Sequence, residues 1–177
     1  MIDINTAPEV LFVERFVGDP DALLLSLLTE TAWDERIYAR LTASFGVPYN
    51  YSGMTYPEIP MPVYLQEVCV AINERLQFTP NNCLVNSYVE GGSRMGFHAD
   101  STEELVPGTG VAVVSLGATR TLTFRRTDDR DVRRGFALPH GSLLYMPPEV
   151  QSEWQHGVLK EPGIGQRMSL SFRAFRR

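Results

Sequence analysis

The sequence predicts an α+β fold in which helices come first and a β-sandwich follows. Two segments before residue 80 have helical patterns, whereas the chain after Pro80 changes to short β-like runs separated by turn residues. Short strands of this kind are typical of a double-sheet jelly roll or barrel, with the helices covering one outer face. The chain has 177 residues, of which 44% are hydrophobic, so it can fill one core. We therefore expect a single domain over 1–177, divided into a helical part at 1–80 and a jelly-roll core at 81–177.

The two helices are predicted from their first residues and their periodicity. Residues 19–32, DPDALLLSLLTETA, begin with acidic residues and a proline and continue as an apolar run. The second helix, VYLQEVCVAINERL at Val63–Leu76, has apolar residues at helical spacing. Between them, FGVPYNYSGMTYPEIPMP is rich in Pro, Gly and Tyr, which indicates a loop or a short hairpin.

The last of the β-like runs is the most informative strand. The runs are CLVNSYV, MGFHA, VAVVSLG, TLTFRR, GFAL, SLLYM, WQHGVL and RMSLSFRAF. Because side chains alternate across a strand, one face of RMSLSFR is fully polar and consists of Arg167, Ser169, Ser171 and Arg173. If the apolar face packs against the helices, the polar face points into the barrel, where arginines need anionic partners. An edge strand with its polar face in water is the alternative.

The two arginines of this strand are spaced for a small dianion. The rise of a strand places Arg167 and Arg173 about 20 Å apart, and side chains that reach about 6 Å each leave a gap of about 8 Å. A short dicarboxylate fits such a gap.

The net charge limits the classes of partner. A charge of -5 and a pI of 5.2 argue against a protein whose whole surface embraces nucleic acid. The segment Arg120–Arg134 is nevertheless rich in arginine. Two interpretations remain open: a solvated hairpin that its own aspartates neutralise, or a rim that contacts phosphates.

Composition also predicts the compartment. The sequence contains no apolar run long enough to span a membrane, and MIDINTAPEVLF lacks the features of a signal peptide. Cys69 and Cys83 form neither a disulfide framework nor a CxxC motif, which suits a reducing compartment. We expect a cytoplasmic or otherwise intracellular protein with buried cysteines and no membrane partner.

A candidate metal site begins in the stretch GFHAD. On a strand, His98 and Asp100 point the same way, and they supply two thirds of the 2-His-1-carboxylate triad that binds non-haem Fe(II). The pair alone is a weak signal, and the third ligand would be either His140 or His156. We favour His156, in the β-like run WQHGVL, because LPHGS places His140 between Pro and Gly, where a turn is expected.

Several motifs in one order resemble the AlkB family of iron(II) and 2-oxoglutarate-dependent dioxygenases. They are NSY at 86–88, HAD at 98–100, the later His156 and RMSLSFR at 167–173. VAVVSLGATRTLTFRR and LPHGSLLYMPP look like core strands of the family, and FGVPYNYSG resembles its substrate-side segment. The resemblance is clearest over 45–175. It implies a double-stranded β-helix (jelly roll) with N-terminal helices packed on one face, and it places the substrate-side segment within 1–80.

The resemblance also implies the cofactors and the residues that bind them. Fe(II) would be held by His98, Asp100 and His156. Arg167 would pair with the distal carboxylate of the cosubstrate 2-oxoglutarate, and Arg173 would lie near its keto-acid end. Asn86 and Tyr88 would also face the cosubstrate, which their i, i+2 spacing on a strand allows.

The substrate side is matched less closely. Tyr51 would stack on the target base, and His98 would form the opposite wall. Thr102 stands where nucleotide-repairing relatives carry an acidic residue, and the adjacent Glu103 would substitute for it. The segment Trp33–Phe45 looks shorter than the duplex-probing loops of some relatives, which favours single-stranded substrates.

The implied activity is the oxidative demethylation of N-alkylated bases, with release of formaldehyde and succinate. The expected partner is alkylated single-stranded DNA or RNA, and the expected state is a monomer. Two alternatives remain. The aromatic segment 45–64 could close a pocket for hydroxylation of a small molecule or protein, or the scaffold could be a noncatalytic binding module.

Overall fold

The computed structural model describes residues 7–51 and 53–177. Its helices are α1 (Pro20–Glu30), α2 (Val63–Leu76) and the short α3 (Val150–Glu153). The first strands are β1 (Leu11–Val13), β2 (Leu41–Gly46), β3 (Tyr49–Tyr51) and β4 (Met54–Tyr56). The later strands are β5 (Asn82–Tyr88), β6 (Met95–His98), β7 (Val111–Gly117), β8 (Arg120–Arg126), β9 (Arg133–Leu138), β10 (Ser142–Met146), β11 (Trp154–Val158) and β12 (Arg167–Arg173).

Two antiparallel sheets form a jelly roll. The major sheet has the strand order β1-β10-β7-β12-β5-β2, and the minor sheet has the order β6-β11-β8-β9. Along the chain, β5 to β12 pass back and forth between the two sheets, with β8 and β9 joined as a hairpin in the minor sheet. The eight β-like runs of the sequence correspond to these eight strands, and the predicted fold class is confirmed.

The helices α1 and α2 pack on the outer face of the major sheet, as predicted. Helix α1 begins after Asp19, whose carboxylate accepts a hydrogen bond from the Ala22 N–H at 3.0 Å, and Pro20 fills the first turn. The outer core joins side chains of both helices to the sheet; it includes Leu23, Leu27, Leu65, Ile72, Val114, Leu116, Met168, Leu170 and Phe172. The apolar face of β12 therefore points toward the helices.

Strand β12 lies in the middle of the major sheet, between β7 and β5. All seven of its residues are buried. Its polar side chains face a cavity between the two sheets; they are Arg167, Ser169, Ser171 and Arg173. The edge-strand alternative is wrong, because a strand paired on both sides inside a two-layer fold has no face in water.

The strands β1 and β2 are not predicted by the sequence pattern. Strand β1 pairs with β10 and β2 with β5, so these two form the edges of the major sheet. Part of the segment Trp33–Phe45 is thus a strand and not a loop. The aromatic connection contains β3 and β4, which pair as a hairpin with Tyr49 opposite Tyr56 and Tyr51 opposite Met54.

The two cysteines are buried and unpaired. Burial raises the pKa of the Cys69 thiol to about 12 and raises that of Cys83 as well. A thiol that stays protonated is a small apolar side chain, as expected from the sequence. Among the described residues, no helix combines the length and the apolar character needed to cross a bilayer.

We expect Gly117→Ala to destabilise the fold more than Gly163→Ala. Both glycines have a φ of +83°, a conformation that costs other residues about 1–2 kcal/mol. An added Cβ would lie 2.5 Å from the carbonyl oxygen of Gln166 at position 117, whereas nothing lies within 4 Å of it at position 163. Overpacking should add about 1–3 kcal/mol at Gly117. Urea unfolding measures both variants, and equal midpoints would contradict this account of the turn after β7.

Candidate metal and cosubstrate site

Three side chains meet at one end of the cavity between the sheets. His98 ends β6, Asp100 follows two residues later, and His156 lies on β11 directly across from His98. Asp100 Oδ1 lies 3.5 Å from His98 Nε2, and Asp100 Oδ2 lies 3.7 Å from His156 Nε2. The possible ligand atoms all lie within 4.8 Å of one another. The three residues form a possible metal site with the ligand set of a facial triad.

The protonation states of the two histidines can be inferred from their surroundings. His98 Nδ1 lies 2.9 Å from the Gly96 carbonyl oxygen, which can only accept, so Nδ1 carries the hydrogen and Nε2 faces Asp100. Burial works to lower the pKa of His98, but the hydrogen bond and charge of Asp100 outweigh it and raise that pKa. Burial lowers the pKa of His156 to about 4, which keeps this imidazole neutral.

Asp100 is ionised in this site. Burial alone would raise its pKa, but the nearby charge of Arg173 and the hydrogen bond with His98 lower it well below the usual range. Metal ligands of this type must be an ionised carboxylate and neutral imidazoles. The neutral imidazole of His156 meets this condition. The Nε2 atom of His98 faces Asp100, so a cation bound between these two residues would take the place of a proton on Nε2. The donor set therefore fits Fe(II).

Two buried side chains orient Asp100. Arg173 Nη2 lies 3.2 Å from Asp100 Oδ2. The Asp100 backbone N–H donates to the side-chain oxygen of Gln151, on α3, at 2.8 Å. Contacts of this kind fix the rotamer and the backbone of a ligand before the metal arrives.

The cavity is also lined by two buried arginines, Arg167 and Arg173, and several of their N–H groups have no acceptor among the described residues. Arg167 is 1% exposed and donates through Nη2 to Ser115 Oγ at 2.8 Å. In the part of the chain that the structure describes, Nε and Nη1 of both Arg167 and Arg173 have no hydrogen-bond partner. Leaving buried guanidinium groups without acceptors costs several kcal/mol. The arrangement therefore suits an anion with two acceptor groups, as a dicarboxylate has.

Asn86 and Tyr88 lie beside these arginines on β5. Asn86 lines the cavity, and its side-chain oxygen accepts a hydrogen bond from Arg40 Nε at 2.7 Å. Its NH₂ group is therefore left to donate. Tyr88 is fully buried directly opposite Arg167, whose Cζ lies 5.4 Å from the centre of the Tyr88 ring.

Tyr51 is a half-buried residue of the cavity wall. It is the last residue of β3, and its side chain lines the same cavity as His98. The Tyr51 hydroxyl accepts a hydrogen bond from Arg40 Nη2 at 2.5 Å and lies 3.7 Å from Met95 Sδ. A single arginine thus contacts both Tyr51 and Asn86.

Two residues considered from the sequence lie elsewhere. Glu103 is exposed and is not among the residues that line the cavity; its carbonyl accepts a hydrogen bond from Arg176. His140 lies at the turn after β9, where Nδ1 accepts from the Gly117 N–H at 2.9 Å and Nε2 contacts Asp21 at 3.0 Å. His140 thus joins two loops and does not join the His-Asp-His group.

Sequence reasoning did not single out Arg40 or Gln151. For Arg40 the sequence contains a signal, because polar and apolar residues alternate in RLTASF at 40–45, which is typical of a strand. The polar residues of this stretch are buried in the structure. Gln151 comes from a four-residue helix, which is too short for any periodicity. Its contact with Asp100 joins residues 51 positions apart.

The fold and the site together define a class of non-haem iron oxygenase. The family model described as 2OG-Fe(II) oxygenase superfamily matches residues 29–173, and the chain belongs to this superfamily. The description of this superfamily names Fe(II) and 2-oxoglutarate (2OG), and both are fitted by the His-Asp-His group and by the arginine donors of the cavity that have no partner among the described residues.

Within the superfamily, the relatives place the chain in the AlkB family. It is 35% identical over 136 residues to the mouse DNA oxidative demethylase ALKBH2, a match that covers 72% of this chain and 57% of that protein. It is 31% identical over 176 residues to mouse alpha-ketoglutarate-dependent dioxygenase alkB homolog 3, covering 88% of this chain and 61% of that protein. The chain thus spans about three fifths of the length of these relatives.

Solved structures agree on the fold. The structure of OsALKBH1 has a TM-score of 0.70 at 18% identity and covers 94% of this chain and 98% of that one. A prolyl-4-hydroxylase of Pseudomonas putida has a TM-score of 0.63 at 16% identity and covers 97% of this chain and 94% of that one. At such low identity these neighbours show the jelly roll alone.

Proposed function

We propose that this protein is an oxidative demethylase of N-alkylated nucleic-acid bases that acts on single strands and releases formaldehyde and succinate. The observation that carries the proposal is the position of Tyr51. Its ring lines the cavity together with His98, so a planar base inserted between them would lie beside the metal ligands. The name of the mouse relative ALKBH2, a DNA oxidative demethylase, points to the same chemistry.

In this proposal the polar residues of the cavity bind either the metal or the cosubstrate. His98, Asp100 and His156 hold iron, which together with 2-oxoglutarate and oxygen supplies the oxidation of an N-methyl carbon. Arg167 binds the distal carboxylate of 2-oxoglutarate, and Arg173 lies near the keto-acid end while it also contacts Asp100. The NH₂ group of Asn86 donates to the cosubstrate, because Arg40 already occupies its oxygen. The hydroxymethylated base then loses formaldehyde.

The arginine-rich hairpin supports a polyanionic substrate. Arg120 is fully buried and Arg126 pairs with Asp128, so neither is free to form the rim considered from the sequence. Arg125 and Arg133 instead lie over the ring of Phe97, with their Cζ atoms 4.2 and 5.5 Å from its centre. Phe97 immediately precedes His98. We call Phe97, Arg125 and Arg133 the arginine patch.

Electrostatics within the arginine patch favour an anion. Partial burial lowers the pKa of Arg125, and the charges of Arg130 and Arg133 lower it further. Like charges held side by side repel each other, so a phosphate placed between them is stabilising. Phe97 and His98 are consecutive residues of β6, so their side chains point to opposite faces of the minor sheet. Phosphates that contact the patch would therefore belong to nucleotides away from the inserted base, on the outer face of this sheet.

We expect Arg125→Gln and Arg133→Gln each to weaken binding of a single-stranded oligonucleotide and to flatten its salt dependence. Each lost phosphate contact should reduce the slope of log K against log salt by about 0.7 for a single strand. Fluorescence anisotropy at several salt concentrations measures both quantities. The matched control is Arg15→Gln, an exposed arginine before α1. If the slope of log K against log salt were the same in all three variants, the arginine patch would be a solvated surface that does not contact phosphates.

We expect Tyr51→Ala to lose about 1–3 kcal/mol of substrate binding, whereas Tyr51→Phe should keep most of it, because stacking needs the ring. The phenylalanine variant gives up only the contact with Arg40. Anaerobic binding of a methylated single-stranded oligonucleotide measures the difference. Turnover of 2-oxoglutarate without nucleic acid is the control and should survive both changes. Equal binding by wild type and Tyr51→Ala would remove Tyr51 from the substrate site.

The decisive experiment is a turnover assay with iron-loaded protein and oligonucleotides that carry methyladenine or methylcytosine, as DNA and as RNA. Formaldehyde is expected together with succinate in at least the same amount, and the excess should equal the turnover measured without oligonucleotide. Succinate without formaldehyde from every oligonucleotide would favour hydroxylation of a small molecule or protein, and absence of both would favour a binding module. The assay also tests the contact of Glu103 with the base that the sequence suggested, which its exposed position outside the cavity does not support. An unchanged base preference in Glu103→Gln would remove this residue from the substrate side.

A further inference from the structure

Arg120, the first residue of β8, is fully buried and reaches two loops at one end of the jelly roll. Its Nη2 donates to the carbonyl oxygens of Ser93 at 3.0 Å and Leu159 at 2.6 Å, and its Nη1 donates to that of Glu90 at 3.4 Å. One guanidinium group therefore donates to three carbonyl groups, two in the β5–β6 loop and one in the β11–β12 loop. A buried arginine with this many backbone contacts holds the geometry of the loops around it.

The two loops connect the strands that carry the candidate site. The β5–β6 loop joins Tyr88 to Met95, on the strand that ends at His98, and the β11–β12 loop joins Val158, on the strand that contains His156, to Arg167. The loops also touch each other, since the Glu161 N–H donates to the Gly91 carbonyl oxygen at 2.9 Å. A Cβ at Gly91 would lie 1.8 Å from the Glu161 carbonyl oxygen, so only glycine permits this approach.

The ring of Tyr88 links Arg120 to the cosubstrate end of the cavity. The Cζ of Arg120 lies 5.6 Å from the centre of this ring, and the Cζ of Arg167 lies 5.4 Å from it. Both guanidinium groups are thus within the range of a cation–π contact with one tyrosine. Tyr88 and Arg167 are direct neighbours across β5 and β12. A shift of the ring would therefore move the guanidinium group of Arg167.

The charges of this cluster leave one positive charge for a ligand. Glu161 Oε1 lies 3.7 Å from Arg120 Nε and accepts a hydrogen bond from the Thr121 N–H at 2.8 Å. Glu161 therefore offsets the charge of Arg120. Arg167 has no acidic neighbour in hydrogen-bond range among the described residues, and its Nε and Nη1 are without partners there. Arg120 itself is not among the residues that line the cavity.

We propose that Arg120 is a positioning residue for 2-oxoglutarate: it fixes the Tyr88 ring and the two loops so that the guanidinium group of Arg167 is aimed at the distal carboxylate. The inference rests on the proposed role of Arg167. Arg120 acts through its neighbours, because its Nη1 and Nη2 atoms donate to backbone carbonyl groups and its side chain does not line the cavity. The positive charge of Arg120 is already offset by Glu161, so it does not explain why this side chain contacts both loops and the Tyr88 ring.

The test compares Arg120→Lys with wild type. Lysine keeps the charge but cannot present a planar set of donors to three carbonyl groups. We expect the KM for 2-oxoglutarate to rise about tenfold, the size expected when one oriented hydrogen bond is lost. The kcat at saturating 2-oxoglutarate and the affinity for Fe(II) alone should change less than about threefold, because the metal ligands keep their contacts. The matched control is Arg126→Lys, at the other end of β8, which should leave KM unchanged.

Two further variants distinguish this inference from the proposed role of Arg167, on which it rests. They are Arg167→Lys and the double variant that combines Arg120→Lys with Arg167→Lys. An unchanged KM in Arg167→Lys would overturn the role of Arg167 and the inference with it. A raised KM in Arg167→Lys beside an unchanged KM in Arg120→Lys would overturn the inference alone. If both single variants raise KM, the double variant should be far less impaired than the product of the two effects, because both act on one carboxylate. Effects that simply multiply would contradict positioning.

A second variant keeps the inference testable if Arg120→Lys does not fold. Glu161 is partly exposed, and Glu161→Gln removes only the ion pair that helps to orient Arg120. Positioning predicts a KM for 2-oxoglutarate about two- to threefold higher, since one of several contacts that hold the guanidinium group is weakened. A role for charge alone predicts the opposite, because the cluster becomes more positive and attracts a dianion more strongly. An unchanged or lower KM would overturn the inference.

Discussion

His156→Ala is expected to lose at least about a hundredfold in Fe(II) affinity, whereas His140→Ala should bind iron as wild type does. Changes in residues that merely support metal ligands already cost about 10–100-fold, and loss of one of three ligands leaves a pair that cannot define the facial geometry. His156 is 3% exposed with Nε2 3.7 Å from Asp100 Oδ2. Anaerobic equilibrium dialysis with Fe(II) measures the affinities.

His140 is a demanding control for this result, because it is the remaining histidine of the chain and its ring is also hydrogen-bonded. Its partners are the Gly117 N–H and Asp21, so its loss should lower stability and leave the metal site intact. Metal content should therefore be measured on folded protein. If His140→Ala lost iron while His156→Ala retained it, the third ligand would be misassigned.

Arg167→Lys is expected to raise the apparent KM for 2-oxoglutarate about thirtyfold, which corresponds to about 2 kcal/mol for one charge-assisted contact. A guanidinium group can grip a carboxylate with two parallel hydrogen bonds, whereas an ammonium group acts as a point charge. The unpaired Nε and Nη1 of Arg167 are the donors available for that grip. Succinate formation at varied 2-oxoglutarate concentration measures the change, and Arg15→Lys, at an exposed arginine before α1, is the control.

Arg173→Lys distinguishes the two ends of the cavity. Arg173 Nη2 contacts Asp100, and this charge is a main reason why the pKa of Asp100 is low. We therefore expect this variant to weaken both Fe(II) and 2-oxoglutarate, whereas Arg167→Lys should weaken 2-oxoglutarate alone. A cosubstrate dependence that is unchanged in Arg167→Lys would remove Arg167 from the site, whatever Arg173→Lys does.

The alternating strands and the ordered motifs were readable from the sequence because they are local. Side-chain alternation in RMSLSFR separates its polar from its apolar face whatever surrounds the strand. In the same way, HAD places His98 and Asp100 together, the acidic and proline-containing start indicates α1, and apolar residues at helical spacing indicate α2. The jelly roll was predicted from the short strands, and the family and its two cofactors were implied by the resemblance of the ordered motifs; these predictions are confirmed. The roles assigned to single residues stay predictions.

Contacts between distant parts of the chain were decided only by the tertiary structure. The polar face of β12 could have been at an edge, and it lies inside because β5 and β7 pair with it on both sides. Gln151 approaches Asp100, and Arg120 approaches Tyr88 and two loops, through side chains whose neighbours have no fixed spacing in sequence. Periodicity reports which way a side chain points relative to its own strand or helix. It carries no information on which strand lies opposite, and that pairing determines whether a buried arginine meets water, a carbonyl group or a bound anion.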